Sequence, residues 1–485
     1  MIAAEWIKFR TVRGWVLAVL IAAVAIGVLG VVGGGQGSCY GNSCTLPTGP
    51  GGEPVSDSFY FVRQALTGNG TITARVTSLT SVANSAPRTT RQVIEPWAKA
   101  GLILKASLKQ GSPYAAIMIT GTQGIRLQDD FTGDTAGPAL RAGWLRLVRD
   151  GAMVTGYASP DGRRWTKVGS VTLPGLPQTV QGGLFVTSPQ YTQTAVGVSQ
   201  IFGSLSQSTA AFSHVTLTWQ GGVGHAWAGT DVGGGGGGPP GGYRAVGGTF
   251  TITGSGDIAP STNGPSGLGV TIGQTLVGTF VALIILAVVA AMFMTAEYRR
   301  GLIRVTLAAC PRRGRVLAAK ACVAGLAAFA AGLAGTAVAV PFGERALRSH
   351  GVYLPPVSLL AQVRVVTGTA AVLAVCAVLA VAIAAFARRG VYAVAAVVGL
   401  IVVPYVLAVT IPVVPLNLAD WLMRVTPAAA FALQQTVIQY PQVDDVYAPA
   451  YGYFPLAPWA GLGVLCAWTA LALALAYLAL ERRDA

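Results

Sequence analysis

A chain of 485 residues that is 52% hydrophobic and only 11% charged, with a mean hydropathy of +0.57, is too apolar to be a water-soluble protein of this size. Its formal charge of +15, from 33 Lys and Arg against 18 Asp and Glu, would admit a nucleic-acid partner if it formed one basic face. Most of the excess instead sits in short segments beside apolar runs, where it sets membrane topology and argues against nucleic acid.

Residues 1–13, MIAAEWIKFRTVR, interleave Trp6, Ile7 and Phe9 with Lys8, Arg10 and Arg13. At helical spacing this makes a short amphipathic helix in the membrane interface, although the charged flank of a signal anchor fits the same residues. Residues 15–32 are an uninterrupted apolar run long enough to span a bilayer. The following GGGQGS offers no A-x-A cleavage site, so residues 1–33 read as an uncleaved first membrane unit. Cys39 and Cys44, in CYGNSC, predict a small disulfide loop on an oxidising side. Cys310, Cys322, Cys376 and Cys466 lie in or beside apolar runs, as small hydrophobes do.

Across residues 34–230 no apolar stretch is long enough to span, and alternation takes over. TITARVTSLT (71–80), AGLILKASL (100–108), YAAIMIT (114–120), WLRLVRDG (144–151), MVTGYASPDG (153–162) and HVTLTW (214–219) read as strands joined by Gly, Pro and Asp turns. Short strands at this spacing predict an antiparallel sandwich. Residues 231–242, DVGGGGGGPPGG, read as a flexible linker, and they lack the Gly-Lys-Ser/Thr ending of a phosphate loop. Residues 243–268 add a return strand through GGTFTITGSGDI (247–258).

Within this region PWAKAGLILK (96–105), GIRLQ (124–128) and WLRLVRDGAMVTGYASPDGRRWTKVG (144–169) resemble a jelly-roll domain of the concanavalin or laminin G type, over most of 69–219. The resemblance implies a fold and leaves function open, because such domains bind sugars, bind proteins or serve as passive modules. Trp97, Trp144, Tyr157 and Trp165 would form a sugar-stacking platform if they share a face, and core aromatics if they do not. Asp129 and Asp130 fit either a calcium site or a solvated turn. The scattered His214, His225 and His350 and the lack of a CxxC give no metal site.

From 269 to 485 the chain is helical, with spans at 270–291, 316–340, 365–387, 391–411 and 458–480. With the first run that makes six. The basic connections, Arg388 and Arg389 among them, put both termini in the cytoplasm and the β domain outside. Gly325, Gly332 and Gly335 in GLAAFAAGLAG predict close helix packing. Residues 343–364 predict an outer loop with a short interfacial helix. Residues 412–457 are apolar but broken by Pro, as in a re-entrant or surface-lying pair of short helices, with Trp421, Tyr440, Tyr447, Tyr451, Tyr453 and Trp459 as an interface belt.

The loop after the second span, 295–315, is the most informative stretch. In AEYRRGLIRVTLAACPRRGRVLAAK, Arg299, Arg300, Arg304, Arg312, Arg313, Arg315 and Lys320 face a single acid, Glu297. Plain topology control with anionic-lipid contacts would suit the charge. The intervening apolar pattern adds an amphipathic helix over 297–307 that ends before Pro311. This string, the opening AEWIKFRTVRGW and the six spans resemble a type 2 ABC exporter permease (ABC-2 type). The resemblance implies that Glu297, Tyr298, Arg299, Gly301, Arg304, Pro311 and Arg313 couple the chain to a separate ABC ATP-binding subunit. It also implies a homodimer or heterodimer with a second permease.

The chain has no Walker loop, so no cofactor and no catalytic residue is assigned to it. The expected whole is a multi-domain membrane protein, a six-helix α transmembrane domain with an extracellular antiparallel β-sandwich inserted between its first two spans. It would move an unidentified lipid, peptide, antibiotic or glycan-like substrate outward. The alternative is a membrane-anchored glycan- or protein-binding sensor without transport.

Overall fold

The computed structural model describes residues 1–33, 45–86, 89–93, 95–194, 201–222, 226–262, 270–299, 312–409, 415–443, 445 and 447–483. Cys39 and Cys44 and residues 300–311 fall outside these, so the expected disulfide and most of the expected docking helix lie outside the described residues.

Six helices are long and apolar enough to cross a membrane: Arg13–Val32, Ile272–Tyr298, Arg313–Ser349, Leu359–Ala387, Gly390–Val409 and Pro458–Arg482. A separate helix, Ile2–Thr11, precedes the first span and is set off from it by an extended Val12. Small residues let the spans approach closely. A Cβ on Gly335 would lie 2.7 Å from Ile26 Cβ and 2.8 Å from the Ala23 carbonyl of the first span. A Cβ on Gly332 would lie 2.9 Å from Ala370 Cα in the fourth span, and one on Gly325 3.1 Å from Val378. The three glycines therefore face two different neighbours, which fixes the third span between the first and the fourth.

Two helical segments differ from the sequence reading. The third span does not stop at 340 but continues through Pro341 to Ser349, 37 residues in all, so the short interfacial helix expected in 343–364 is its extension. A single proline removes one hydrogen bond, and burial on both sides of it, at Val340 and Gly343, holds the helix together. The fifth span contains a π-helical turn, Val398–Val402, immediately before the segment Val403–Val409. Pro404 offers no N–H to the turn before it, and the widened turn relieves its ring of the carbonyl it would strike in an α-helix.

The Pro-broken stretch folds as a helix, Leu416–Val425, with Leu418 and Trp421 exposed, followed by a wholly buried 3-10 segment, Pro427–Gln434. Trp468 in the sixth span donates its indole N–H to the Val425 carbonyl at 3.0 Å, and Gln434 donates to Thr369 Oγ1 at 3.3 Å. Phe280, Tyr405 and Phe431 pack as a triangle with centroids 4.6, 4.7 and 4.9 Å apart, joining the second span, the fifth span and the 3-10 segment.

The β region holds two large antiparallel sheets. One runs Ala228–Val232, Phe59–Thr67, Thr179–Thr187, Lys99–Lys105, Tyr114–Thr120, Ile125–Asp129, Gly133–Ala136. The other runs Thr166–Thr172, Met153–Ser159, Gly143–Asp150, Gly70–Ala86, Ser206–Trp219, Thr249–Gly254, Gly242–Val246, with Thr89–Val93 added beside Gly70–Ala86. Val62, Leu102, Ile117, Leu147, Leu184 and Phe212 share one core between the sheets, as their period-2 patterning requires.

The other face of the first sheet is also buried. Phe59, Phe61, Ile103, Tyr114 and Phe185 lie there under Val55 and Ile258. These last two belong to a ribbon, Val55–Asp57 paired antiparallel with Ile258–Pro260, in which the chain enters and leaves the domain side by side. The segment read as a flexible linker, 231–242, is tied into this fold. Strand Ala228–Val232 pairs with Phe59–Thr67, Gly233–Gly237 makes a 3-10 turn, and a Cβ on Gly233 would strike Asp57 O and Ser58 Oγ at 2.5 Å. Gly233 also has a left-handed φ of 67°, so the glycine run supplies turn geometry and close approach.

Candidate functional site: a buried charge cluster at one end of the bundle

The charges of the N-terminal helix are spaced to act together. Glu5, Lys8 and Phe9 lie three and four residues apart and so on one helical face. That face meets the ends of the second and third spans. Glu5 Oε1 accepts from Lys8 Nζ at 2.7 Å and Glu5 Oε2 from Lys320 Nζ at 2.8 Å. Glu297 Oε1 accepts from Lys8 at 3.0 Å and forms an ion pair with Lys320 Nζ, also at 3.0 Å. Two acids and two ammonium groups close a ring of four contacts that joins three elements. Side-chain exposure is 1% at Lys320, 3% at Glu5 and 8% at Glu297, while Lys8 at 46% remains open to solvent.

Aromatic rings wall the cluster. Phe293, one helical turn before Glu297, presents its face to Lys320 Nζ at 4.3 Å. Phe9 and Trp15 each meet Phe293 edge-on at 5.4 Å. Burial acts to raise the Glu5 pKa, but hydrogen bonds and charge from Lys320 and Lys8 outweigh it and hold the carboxyl below its ordinary value. At Lys8 burial acts downward, and Glu5 and Glu297 together pull the ammonium above its ordinary value. The cluster is thus charge-balanced, and removal of any one partner leaves a buried charge without compensation.

Other basic residues mark the same end of the bundle. Arg388, in the left-handed turn that closes the fourth span, lies 5.6 Å above the Tyr298 ring. Arg313 at the start of the third span donates to the carbonyls of Leu480 and, at 3.2 Å, Glu481 at the end of the sixth. An open depression lies alongside, between Arg312, Gly314, Arg315 and Tyr477.

The residues assigned to coupling from the sequence separate accordingly. Glu297 is buried in the cluster, Tyr298 packs under Arg388, and Arg313 clips the third span to the sixth. The backbone of Arg299 ends the second helix, and Gly301, Arg304 and Pro311 lie outside the described residues. The sequence assigns Glu5 no role, reads Lys8 as an interfacial charge of the N-terminal segment and Lys320 as one of the cations of the basic loop, and does not bring the three together. The available signal was the presence of lone ionisable residues within otherwise apolar helical stretches, which demand partners.

Of the four aromatic residues considered for a platform on the β domain, Trp97 lies apart from the other three. Trp97 is 4% exposed, beside the first sheet, with Arg126 stacked on its ring at 5.3 Å. Trp144 and Tyr157 alternate with core residues of the second sheet and therefore point away from the shared core. There Arg146 covers Trp165 at 3.8 Å and Trp144 packs against His214 at 5.2 Å.

Asp129 and Asp130 lie at a tight turn in which Asp130 and Phe131 are both left-handed, and the Asp130 carboxylate accepts from the Tyr114 amide at 3.1 Å. The β domain also meets the membrane part. Gln442, in the stretch before the sixth span, donates to the carbonyls of Phe131 at 3.4 Å and Thr132 at 3.2 Å.

Compared with known proteins, residues 97–485 match the family described as ABC-2 family transporter protein. No curated protein matches the chain. Among solved structures, the chain is similar to SCP-B, a member of the Eqolisin family of peptidases in a complex with the tripeptide Ala-Ile-His, at 8% identity and a TM-score of 0.25, over 41% of this chain and 98% of that one. Scytalido-glutamic peptidase with a peptide-based transition state analog gives 8% identity and a TM-score of 0.26 over the same shares. A functionally unknown protein from Saccharomyces cerevisiae gives 15% identity and a TM-score of 0.20, over 38% of this chain and 94% of that one.

Proposed function

The chain belongs to the ABC-2 transporter family, and on that premise we propose that it is the permease subunit of an ATP-driven exporter whose energy comes from a separate ATPase bound near the buried charge cluster. Permeases of this family are normally non-catalytic membrane subunits, and membership implies an ATP-binding partner in general. In this reading the end of the bundle that carries Glu297, Arg313 and Arg388 is cytoplasmic, because short Arg-rich connections resist translocation. The β domain, inserted at the opposite end, is extracellular and adopts a jelly-roll of the concanavalin type. A second permease completes the path, since one six-span unit does not enclose one.

The observation that carries this reading is the ring formed by Glu5, Lys8, Glu297 and Lys320. It sits where the chain passes from the second span into the basic loop, and it binds the N-terminal helix and the third span to that point. A partner pressing on the loop therefore moves three elements together. Glu297 serves as a tie within the permease, and Arg312 and Arg315, exposed where the loop enters the third span, are left to face the ATPase. The substrate is a lipid, peptide, antibiotic or glycan-like molecule in this proposal.

The test is co-purification with the ATP-binding subunit, followed by substrate-stimulated ATP hydrolysis in vesicles. Glu297→Gln and Lys320→Met are expected to keep the ATPase bound while lowering the stimulation at least tenfold. Absence of any associated ATPase, together with full function of both variants, would favour a membrane-anchored sensor instead.

A further inference from the structure

Two lysines lie at the two ends of the strand Lys99–Lys105, each with no exposed side-chain surface and each 2.6 Å from an aspartate of the entry and exit segments. Their surroundings differ. Lys99 Nζ reaches Asp257 Oδ1 and also the Ile258 carbonyl at 2.6 Å, and Asp257 takes a further hydrogen bond from the Ile258 amide at 2.8 Å and is 15% exposed. That is an ordinary, satisfied ion pair.

The pair formed by Lys105 and Asp57 is not satisfied. Both side chains have no exposure. Asp57 Oδ2 receives Lys105 Nζ at 2.6 Å and the Gly111 amide at 2.7 Å. Asp57 Oδ1 is buried and meets no hydrogen-bond donor among the described residues. Lys105 Nζ has one other acceptor, the Ser112 carbonyl at 3.1 Å. The rings of Tyr114 and Phe131 stand 5.6 and 5.5 Å from the nitrogen and are packed edge-on against each other at 4.9 Å. A carboxylate oxygen sealed in such a place without a donor is an expensive arrangement for a permanent ion pair.

We propose that Lys105 and Asp57 are joined by an intramolecular isopeptide bond, formed spontaneously once the β domain has folded. The reaction is a condensation. The Lys105 amine attacks Asp57 Cγ, the C–N bond forms, and the bond from Cγ to the unpartnered Oδ1 breaks. An ammonium and a carboxylate become an amide and one water, the two protons shed by nitrogen leaving with Oδ1, so no oxidant and no co-substrate is required. The oxygen that stays is Oδ2, and the Gly111 amide is already placed to hold the negative charge that gathers on it.

Burial lowers the Lys105 pKa and so favours the neutral, nucleophilic amine against the pull of Asp57. The Asp130 carboxyl, raised by burial and within electrostatic reach of Lys105, is the group suited to carry the protons. The bond removes both the sealed charges and the orphaned oxygen.

The experiment is mass spectrometry of the full-length protein purified in detergent. The intact mass is expected to fall short of the sequence mass by one water, and proteolytic mapping is expected to give a branched peptide joining the segments that carry Asp57 and Lys105. Lys105→Arg should restore the missing water. If that variant does not accumulate, the wild-type map decides alone. A linear peptide cleaved after Lys105 in full yield, a water deficit that persists in Lys105→Arg, or a branch at Lys99 and Asp257 would each overturn the proposal.

Discussion

Lys320 holds two carboxylates, Glu5 at 2.8 Å and Glu297 at 3.0 Å, in a place with almost no solvent. Replacing it by Met strands both acids, and breaking a buried pair in this way costs about 3–5 kcal/mol. We therefore expect Lys320→Met to lower the thermal midpoint in detergent and to expose the helix Ile2–Thr11 to protease. The double variant Lys320→Met with Glu297→Gln should lose less than the sum of the single losses, because each change removes the other's stranded charge.

The same residues predict a pH window. The Glu5 pKa is lowered in the folded protein, so its contribution is complete above the ordinary carboxylate range and is lost as pH falls through the folded value. The Lys8 pKa is raised, so its contribution is complete below the ordinary lysine value and is lost as pH rises through the folded one. Protease protection of the N-terminal helix should accordingly be flat near neutrality and fall in acid and in strong base. Flat protection into acid would remove Glu5 from the anchoring role. At this scale Glu297 stood out in the sequence as the lone acid of a basic run, but its partners lie 289 residues before it and 23 after it, and nothing local links them.

Helical elements were largely legible because hydropathy is a local property, while their ends were set by neighbours. The third span runs past its apolar stretch to Ser349 because packing continues along it, and residues 231–242 fold because the sheet edge, the Asp57 carbonyl and the Ser58 hydroxyl accept them. The glycines of the third span make a direct test of element packing. Gly335→Val drives methyl groups into Ile26 and the Ala23 carbonyl and should cost about 1–3 kcal/mol by overpacking. Gly463, in the sixth span, has nothing within 4 Å of a new Cβ. Gly463→Ala should instead gain about 0.5–1 kcal/mol from helix propensity. Thermal unfolding of the two variants in the same detergent checks both signs.

For the whole molecule, six spans and a β insertion could be read from composition, whereas strand order could not, since Gly70–Ala86 pairs with Gly143–Asp150 and Ser206–Trp219 across long stretches of chain. The grouping of the aromatic residues was illegible for the same reason, because Trp97 flanks one sheet while Trp144 and Tyr157 lie on the outward face of the other. Excising residues 58–257 and closing the gap with a two-residue turn should leave the spans inserted and folded, because Asp57 and Ile258 are already neighbours. Export should be lost if the domain shapes release, as its contact through Gln442 suggests. Full export by the excised protein would make the domain dispensable.

The pairing of Val55–Asp57 with Ile258–Pro260 also works as a ruler. The first span is joined to one rail through residues 33–54 and the second span to the other through residues 261–271, and whatever sliding of the spans reaches the ribbon appears there as a slip of whole residues, about 3.3 Å each. Spectroscopic labels facing each other across Val55 and Pro260 would therefore read, in discrete steps, the part of any relative span motion that is transmitted to the ribbon.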